Sequence, residues 1–324
     1  MSMADVRDTK LGGWKERFGS SSRWRSIRAA LEFYLFISPW FIVFVLLGLV
    51  PLLYGLYLSF TNYAGFNMNN LKLVGFDNYI KVFTDNDAMY ALGRTLLITC
   101  INVPLSTAIG LLLAILLNQN VRNIGLYRTL FFIPSIIPVV AVGTMWRSLF
   151  TKDGVVNDYL VQLGLQPIDW LGYDYAMIPL FIMLLWGVGG GILIYLAGLK
   201  GVSKDLYEAA AIDGATTAQR FIRITIPLVT PVLFFQFIMN IIGSLQIFVQ
   251  PILLASNSNS LLSTPIRPNY VYSVHAFQQI FAFSRFGYGL ALLWVLFLMI
   301  LLLTIVIFTT SKLWVFYEVD QEGN

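Results

Sequence analysis

The side chains in this sequence whose types and spacing point to chemistry are amides and hydroxyls inside long apolar segments. Gln236, Asn240 and Ser244 follow one another at intervals of four residues, which places them on one face of a helix. Polar side chains inside apolar segments are costly unless they face water or a partner. Because sugars are bound by amide hydrogen bonds together with aromatic stacking, this face is a candidate lining for the passage of a hydroxyl-rich solute.

A second apolar segment repeats this pattern. Thr99, Asn102 and Ser106 stand at helical intervals, and Trp186 in another segment could supply an aromatic platform. The candidate translocation-path residues are Asn102, Trp186, Gln236, Asn240, Ser244 and Gln246. Hydrogen bonds between neighbouring helices would explain each of these side chains at least equally well, so both interpretations stay open.

The residue types do not favour a covalent-catalysis site, a disulfide or a metal site. The chain has one histidine, His275, and one cysteine, Cys100, so a histidine-based metal site, a Ser-His-Asp triad or an intramolecular disulfide is implausible. The phosphate-binding P-loop pattern does not occur, and the glycines at 187 and 189–191 indicate a kink or a close helix contact instead. We expect no catalytic, cofactor or metal site and no enzyme activity on this chain.

The composition predicts an all-α membrane protein. Hydrophobic residues make up 57% of the chain, charged residues only 12%, and the mean hydropathy is +0.73. Soluble domains are about a quarter charged, and about 20 apolar residues cross the hydrocarbon core of a bilayer. Six segments of roughly that length carry no charge and predict six transmembrane helices: Phe33 to Phe60, Thr95 to Leu117, Thr129 to Trp146, Tyr175 to Leu199, Ile226 to Ala255 and Phe286 to Ser311.

The basic residues predict which ends of these spans face the cytoplasm. With both termini in the cytoplasm, the cytoplasmic segments hold twice as many Lys and Arg residues as the external ones, in agreement with the positive-inside rule. The organisation is then a basic cytoplasmic segment (1–32), a transmembrane domain (33–313) and a cytoplasmic tail (314–324). Lys15 to Arg28 predicts an interfacial helix on anionic lipid rather than a nucleic-acid-binding segment.

Two further expectations concern the ends and loops of the spans. The first apolar segment is too long for the core of a cleaved signal peptide, so we expect it to remain as a span. The external loop from Ser256 to Arg285 is rich in Tyr and Phe, and we expect it to lie along the outer membrane surface.

The longer of the two cytoplasmic loops, residues 200–226, predicts a helix, a turn and a second helix. Ser203 is a suitable N-cap, and the run of three alanines that follows favours a helix with little side-chain bulk. Gly214 can adopt the left-handed conformation that ends a helix, and Thr216 or Thr217 can cap a second short helix. An alanine-faced helix bent at a glycine suits insertion into a groove on a partner protein, although an ordinary amphipathic connector is the alternative.

At these residues the sequence resembles a known family. Glu208-Ala209-Ala210 and Asp213-Gly214-Ala215, followed by Phe221, Ile224 and Pro227, look like the EAA loop of prokaryotic ABC importer permeases. The resemblance implies the type I importer permease fold, with six transmembrane helices and a cytoplasmic coupling helix that docks in a cleft of the ATP-hydrolysing subunit. It assigns this coupling role to Glu208, Ala209, Ala210, Asp213, Gly214, Ala215 and Phe221.

The remaining spans resemble the maltose-type (MalF-like and UgpA-like) carbohydrate branch of that family. The matching stretches are residues 35–63, 74–85, 127–150 and 286–308. We do not expect the large external domain and extra N-terminal spans of the maltose prototype, and the chain most resembles shorter six-span members of the kind that imports alginate or a similar oligosaccharide. The resemblance implies a bacterial inner-membrane protein that works with a second homologous permease, two ATPase subunits that bind ATP and Mg²⁺, and an external sugar-binding protein.

Three other functions remain as alternatives. A permease for another solute, such as phosphate or an amino acid, would also carry the EAA loop. A channel or secondary transporter working alone usually shows ionisable residues inside its spans, and the six predicted segments carry no charged residue. An intramembrane enzyme would need a paired carboxylate, a metal cluster or an activated nucleophile in a span, and these segments offer none.

Overall fold

The computed structural model describes residues 24, 26–65, 71–119, 121–255 and 262–316. Regular structure within these ranges is helical, with one isolated antiparallel bridge between Thr61 and Leu73. The chain divides into two compact units between Tyr57 and Leu58. The prediction of an all-α protein is confirmed for the described residues.

The first unit is a long apolar helix. Helix α1 extends over Ser26–Ser59, so its last two residues already belong to the second unit. A π-helical turn, Phe44–Leu49, lies within it. This helix covers the predicted first span and is long and apolar enough to cross a membrane. The interfacial helix predicted for Lys15 to Arg28 lies outside the described residues except for Trp24 and residues 26–28.

The second unit supplies the remaining helices of the described ranges. In chain order they are α2 (Asp77–Thr84), α3 (Asn86–Leu117), α4 (Ile124–Ile136), α5 (Val139–Phe150), α6 (Val155–Gln162), α7 (Met177–Trp186), α8 (Gly189–Gly201), α9 (Lys204–Ile212), α10 (Thr217–Leu245), α11 (Val249–Leu253), α12 (Tyr272–Phe281) and α13 (Phe286–Ser311). Helix α10 includes a π-helical turn, Phe221–Thr225.

The apolar helices account for the six predicted spans. Helices α1, α3, α10 and α13 are each long and apolar enough to cross a membrane. Two bent pairs complete the set when each is counted as one span: α4 with the stretch Val139–Gln162, at 95°, and α7 with α8, at 46°. The fifth span ends at Leu245 and does not continue to Ala255, because the chain turns at Gln246 and starts the separate helix α11.

Both bends follow from local chemistry. Ile137 has an extended conformation, with ψ 132°, because proline disfavours the helical conformation of the residue before it, and Pro138 follows. The bend between α7 and α8 falls at Gly187 and Val188. Beside this bend, a Cβ atom on Gly189 would overlap the carbonyl oxygen of Phe131 in α4. The glycine cluster therefore provides both the kink and the close helix contact that its sequence predicts.

Helix α3 packs against α8, α10 and α12 in the second unit. Small residues allow the close approach: Ala114 is fully buried, and Gly110 faces the ring of Tyr195. Towards the other end of α3, Ile98 and Leu292 are fully buried in the same hydrophobic cluster. This packing fixes the positions of the polar side chains on α3, α8 and α10 relative to one another.

The loop before α13 packs into the protein. Tyr272 is completely buried, and its backbone N–H donates to Thr95 Oγ1 at 2.9 Å. Phe281 and Phe283 are exposed. Tyr270 and Tyr272 are buried within the protein, because α12 folds back onto α3 and α13. The expectation that this loop lies along the outer membrane surface stays a prediction.

Candidate functional site

N-caps begin both helices of the loop 200–226, which we call the elbow. At the start of α9, Ser203 accepts a 3.2 Å hydrogen bond from the backbone N–H two residues further on. At the start of α10, Thr216 and Gln219 form a capping box, in which each side chain accepts from the other residue's backbone N–H. The second cap is thus Thr216 rather than Thr217. The predicted short second helix is the first turn of α10, which continues into the fifth span.

A Schellman motif ends α9 and forms the corner of the elbow. The N–H of Ala215 donates to the carbonyl of Ala210 at 2.9 Å, and that of Gly214 donates to the carbonyl of Ala211 at 3.1 Å. Gly214 has φ +77°, in the left-handed region where a side chain would be strained. The predicted glycine turn is confirmed.

The residues with a predicted coupling role surround this corner. Four of them are exposed, namely Glu208, Ala209, Asp213 and Gly214. The other three are half-buried, namely Ala210, Ala215 and Phe221. A cavity of about 440 Å³ lies within the corner, lined by Ala210, Asp213, Gly214, Ala215, Gln219, Arg220, Arg223 and Ile224. The turn therefore brings four of the predicted residues together with two arginines that were not predicted from the sequence, Arg220 and Arg223.

A side-chain hydrogen bond ties α9 to α10. Tyr207 Oη and Thr225 Oγ1 are 2.7 Å apart. Thr225 is only 8% exposed and is the last residue of the π-helical turn Phe221–Thr225. The elbow is thus held both by its chain turn and by this contact.

Gln236 and Asn240 face a cavity of about 210 Å³ between α3, α8 and α10, which we call the central cavity. Gln236 Nε2 donates to the carbonyl of Gly191 at 3.4 Å, and Asn240 Nδ2 donates to Thr107 Oγ1 at 3.1 Å. The lining residues are Ser106, Gly187, Val188, Gly190, Gly191, Ile194, Tyr195, Gln236 and Asn240. All of them are uncharged, so the cavity offers hydrogen bonds without a fixed charge.

The other predicted path residues lie elsewhere. Ser244 is buried on α10, and its Oγ has no hydrogen-bond partner within the described ranges; the same holds for Asn102 Oδ1 on α3. Trp186 packs edge-on against Trp146, with ring centroids 5.4 Å apart, and lines a different cavity of about 210 Å³. Gln246 is exposed beyond the end of α10. The structure thus brings together two of the six predicted residues.

Sequence reasoning did not assign Gly191 and Tyr195 to the path. A Cβ atom on Gly191 would overlap Gln236 Nε2, so the glycine leaves room for that amide at the cavity wall. The signal available in the sequence was the glycine cluster itself, which was explained by helix packing alone.

A polar cluster at the N-terminal end of α3 was also not predicted. Asp85, the N-cap of α3, accepts from Tyr288 Oη at 2.8 Å, and its Oδ2 lies 3.8 Å from His275 Nε2. Tyr270 Oη lies 2.9 Å from His275 Nδ1 and donates to Gln278 Oε1 at 2.9 Å. A cavity of about 400 Å³ is lined in part by Asp85, Tyr270, His275 and Gln278.

Burial and neighbouring charges set the protonation of this cluster. Burial lowers the pKa of His275, against the opposing effect of the Asp85 and Asp87 charges. Burial would raise the pKa of Asp85, but hydrogen bonds from Tyr288 and from two backbone N–H groups outweigh it, and the net shift is downward. Burial raises the pKa of Tyr270 to about 12. Neutral imidazole next to carboxylate is therefore the arrangement at pH 7.

The sequence of this chain matches a known protein family and several characterised or named relatives. A family model described as "binding-protein-dependent transport system inner membrane component" matches residues 106–315. The probable ABC transporter permease protein YesP of Bacillus subtilis (strain 168) is 37% identical over 303 residues, which cover 92% of this chain and 96% of that protein. The lactose transport system permease protein LacF of Rhizobium radiobacter is 32% identical, covering 86% and 93%. The arabinooligosaccharides transport system permease protein AraP of Bacillus subtilis (strain 168) is 31% identical, covering 92% and 91%.

The fold is shared with solved structures. A chain from the crystal structure of a bacterial ABC transporter involved in the import of the acidic polysaccharide alginate superimposes with a TM-score of 0.78, covering 89% of this chain and 98% of that one at 22% identity. The same kind of transporter in complex with an alginate pentasaccharide-bound periplasmic protein gives a TM-score of 0.77. At this identity the likeness establishes the fold, and the predicted importer permease fold is confirmed.

Proposed function

This chain belongs to the family of inner membrane components of binding-protein-dependent transport systems, and we propose that it is the permease subunit of an ATP-driven importer for a sugar or oligosaccharide. In this proposal it spans the bacterial cytoplasmic membrane with both termini on the cytoplasmic side. Its spans open in turn to the outside and to the cytoplasm, so the solute crosses by alternating access. ATP and Mg²⁺ are bound by partner subunits.

The exposed corner of the elbow is the observation that carries this proposal. Helix α9 presents small side chains such as Ala209 beside the tight turn at Gly214, and this shape suits a cleft on a partner protein. Because α10 is one helix from Thr217 to Leu245, a displacement of the corner is transmitted to the face that carries Gln236 and Asn240. Energy released on a partner ATPase would thereby reach the central cavity.

The complete importer contains, in this proposal, a second homologous permease, two ATP-binding cassette subunits and an external solute-binding protein. The solved neighbour in complex with a periplasmic protein supports the last of these.

Two observations support a saccharide as the solute. Relatives that are 31% and 32% identical are described as permeases for arabinooligosaccharides and lactose. The central cavity offers the amides of Gln236 and Asn240 and the hydroxyls of Ser106 and Tyr195, which suit sugar hydroxyl groups. Its uncharged lining favours a neutral saccharide over phosphate, an amino acid or an acidic sugar such as alginate.

Reconstitution of the complete complex tests the proposal. The subunits that co-purify with this chain are identified, and the assembly is placed in vesicles with its binding protein and internal or external ATP. Uptake is then compared for lactose, arabinotriose, phosphate and histidine. We expect saccharide uptake that requires both ATP and the binding protein. Uptake of phosphate or histidine alone would overturn the sugar assignment, and uptake by this chain alone on an ion gradient would overturn the ATP-driven mechanism.

A further inference from the structure

We propose that Tyr207 is a positioning residue that makes the elbow move as one piece with the fifth span. The inference rests on the proposed function, because it concerns how a push on the elbow reaches the membrane. Its starting point is the 2.7 Å contact between Tyr207 Oη and Thr225 Oγ1. Tyr207 directly precedes Glu208 on α9, so the contact lies on the same helical turn as the surface proposed to meet the ATPase.

The contact gives the elbow a second point of attachment. The covalent connection from α9 to α10 is the turn at Gly214, whose few backbone dihedrals could let α9 swing against α10. A hydrogen bond from Tyr207 to Thr225 fixes the distance between the two helices away from that turn. With both attachments in place, a force on α9 displaces α10 instead of opening or closing the turn.

The attachment point on α10 is where its backbone departs from the regular α-helix. Thr225 ends the π-helical turn Phe221–Thr225, and the N–H of Ile226 donates to the carbonyl of Phe221. Such turns interrupt the regular hydrogen-bond ladder, are common at functional sites and are places where helices kink. Pro227 follows and removes a further backbone donor. Tyr207 therefore binds to the residue at which the π-helical turn ends and the regular helix of the fifth span begins.

Thr225 differs from most helical threonines, whose hydroxyl donates to a backbone carbonyl three or four residues earlier in the same helix. Thr230, five residues further along α10, donates its hydroxyl back to the carbonyl of Pro227 at 2.6 Å. Thr225 pairs instead with a side chain on another helix, although it is 8% exposed and lies at a helical position. Removal of the phenol oxygen would leave this buried hydroxyl without that partner.

Isosteric variants of the complete reconstituted importer test the inference. Tyr207→Phe and Thr225→Val each remove one hydroxyl and keep the side-chain shape, while Thr225→Ser keeps the hydroxyl. The measured quantity is sugar transported per ATP hydrolysed. We expect this ratio to fall about twofold to tenfold in Tyr207→Phe and in Thr225→Val. The double variant should be no worse than either single variant, since both remove the same bond, and Thr225→Ser should stay near the wild-type ratio.

Tyr63→Phe is the matched control, because its phenol donates to the carbonyl of Gly65 on the external side and its loss should leave the ratio unchanged. An unchanged ratio in Tyr207→Phe would overturn the inference and leave the importer assignment intact, and so would additive losses in the double variant. A purely structural role would lower the yield or thermal midpoint of the complex at a constant ratio, which also overturns it. Failure of the wild-type complex to show ATP-dependent uptake would instead contradict the proposed function.

Discussion

The side-chain amide of Asn240 donates a 3.1 Å hydrogen bond to Thr107 Oγ1 and so links α10 to α3 beside the central cavity. Asn240 lines that cavity, whereas Thr107 is not among its lining residues. The sequence left two roles open for Asn240, which are bonding to a neighbouring helix and binding solute. Comparison of Asn240 with Thr107 can distinguish these roles. Substitution of either residue removes the bond, but only substitution of Asn240 removes an amide from the cavity.

We expect Asn240→Leu to lower sugar uptake about tenfold or more at limiting sugar, because a site that bonds a hydroxyl group loses its partner. Thr107→Val should lower uptake by less than about threefold, the effect of one hydrogen bond between membrane helices. Uptake by the reconstituted importer, with KM and maximal rate separated, distinguishes the two. Equal effects of both substitutions would assign Asn240 to helix packing alone.

Gly191→Ala should impair transport while leaving the fold intact. The added methyl group would overlap Gln236 Nε2 and force that flexible amide to move within the central cavity. Such overpacking costs about 1–3 kcal/mol, and we expect uptake to fall about tenfold. Gly93→Ala is the matched control, since the new Cβ atom would meet no described heavy atom within 4 Å and alanine favours the helix. Comparable loss of uptake in both variants would show that helix composition, and not the cavity, is responsible.

Most of the span pattern could be predicted from the sequence, because charge-free length is a property of consecutive residues. The last span agrees residue for residue, since Arg285 and Lys312 flank it directly. The length of a charge-free segment does not reveal bends or turns that fall between apolar residues. It therefore missed the 95° bend near Pro138 and carried the fifth span past the turn at Gln246.

The site was predictable where its signals are local. The caps and the glycine turn of the elbow depend on residues within a few positions of one another, and they formed as expected at Ser203, Gly214 and Thr216. Helical spacing placed Gln236 and Asn240 on one face, but it could not show that Gly191 lies opposite them. That juxtaposition depends on how α8 packs on α10, which no local pattern encodes.

Acidification from pH 7 towards about 5 should lower the thermal midpoint of this chain. Burial holds the pKa of His275 below its ordinary value of about 6.5, so the unfolded chain takes up a proton that the folded chain does not. The stability is therefore retained above about pH 6.5 and falls as the pH decreases below it. The pKa of Asp85 is also lowered, and it acts in the same direction, but only near and below about pH 4.

His275→Gln should flatten this pH dependence, because His275 is the only histidine in the chain. Thermal unfolding of the purified chain in lipid nanodiscs at several pH values provides the measurement. In Asp85→Asn the dependence should be steeper, since loss of the carboxylate removes the charge that raises the pKa of His275. Identical pH dependence in wild type and His275→Gln would contradict the assignment.

Gly214→Val should uncouple ATP hydrolysis from transport. At φ +77° a side chain costs about 1–2 kcal/mol of backbone strain. Because the space around the position is open, the valine meets no clash, and its only effect is to strain the backbone and so change the shape of the turn. Gly164 is the matched control: it has φ +75° and open space, and it follows α6, where Leu165 donates to the carbonyl of Leu160 at 2.8 Å as in a Schellman motif. Gly164→Val should lower the thermal midpoint of the complex about as much as Gly214→Val, yet leave sugar-stimulated ATPase activity unchanged. Because the strain is matched, a loss of stimulation confined to Gly214→Val locates coupling in the elbow, whereas unchanged stimulation in an assembled Gly214→Val complex would refute it.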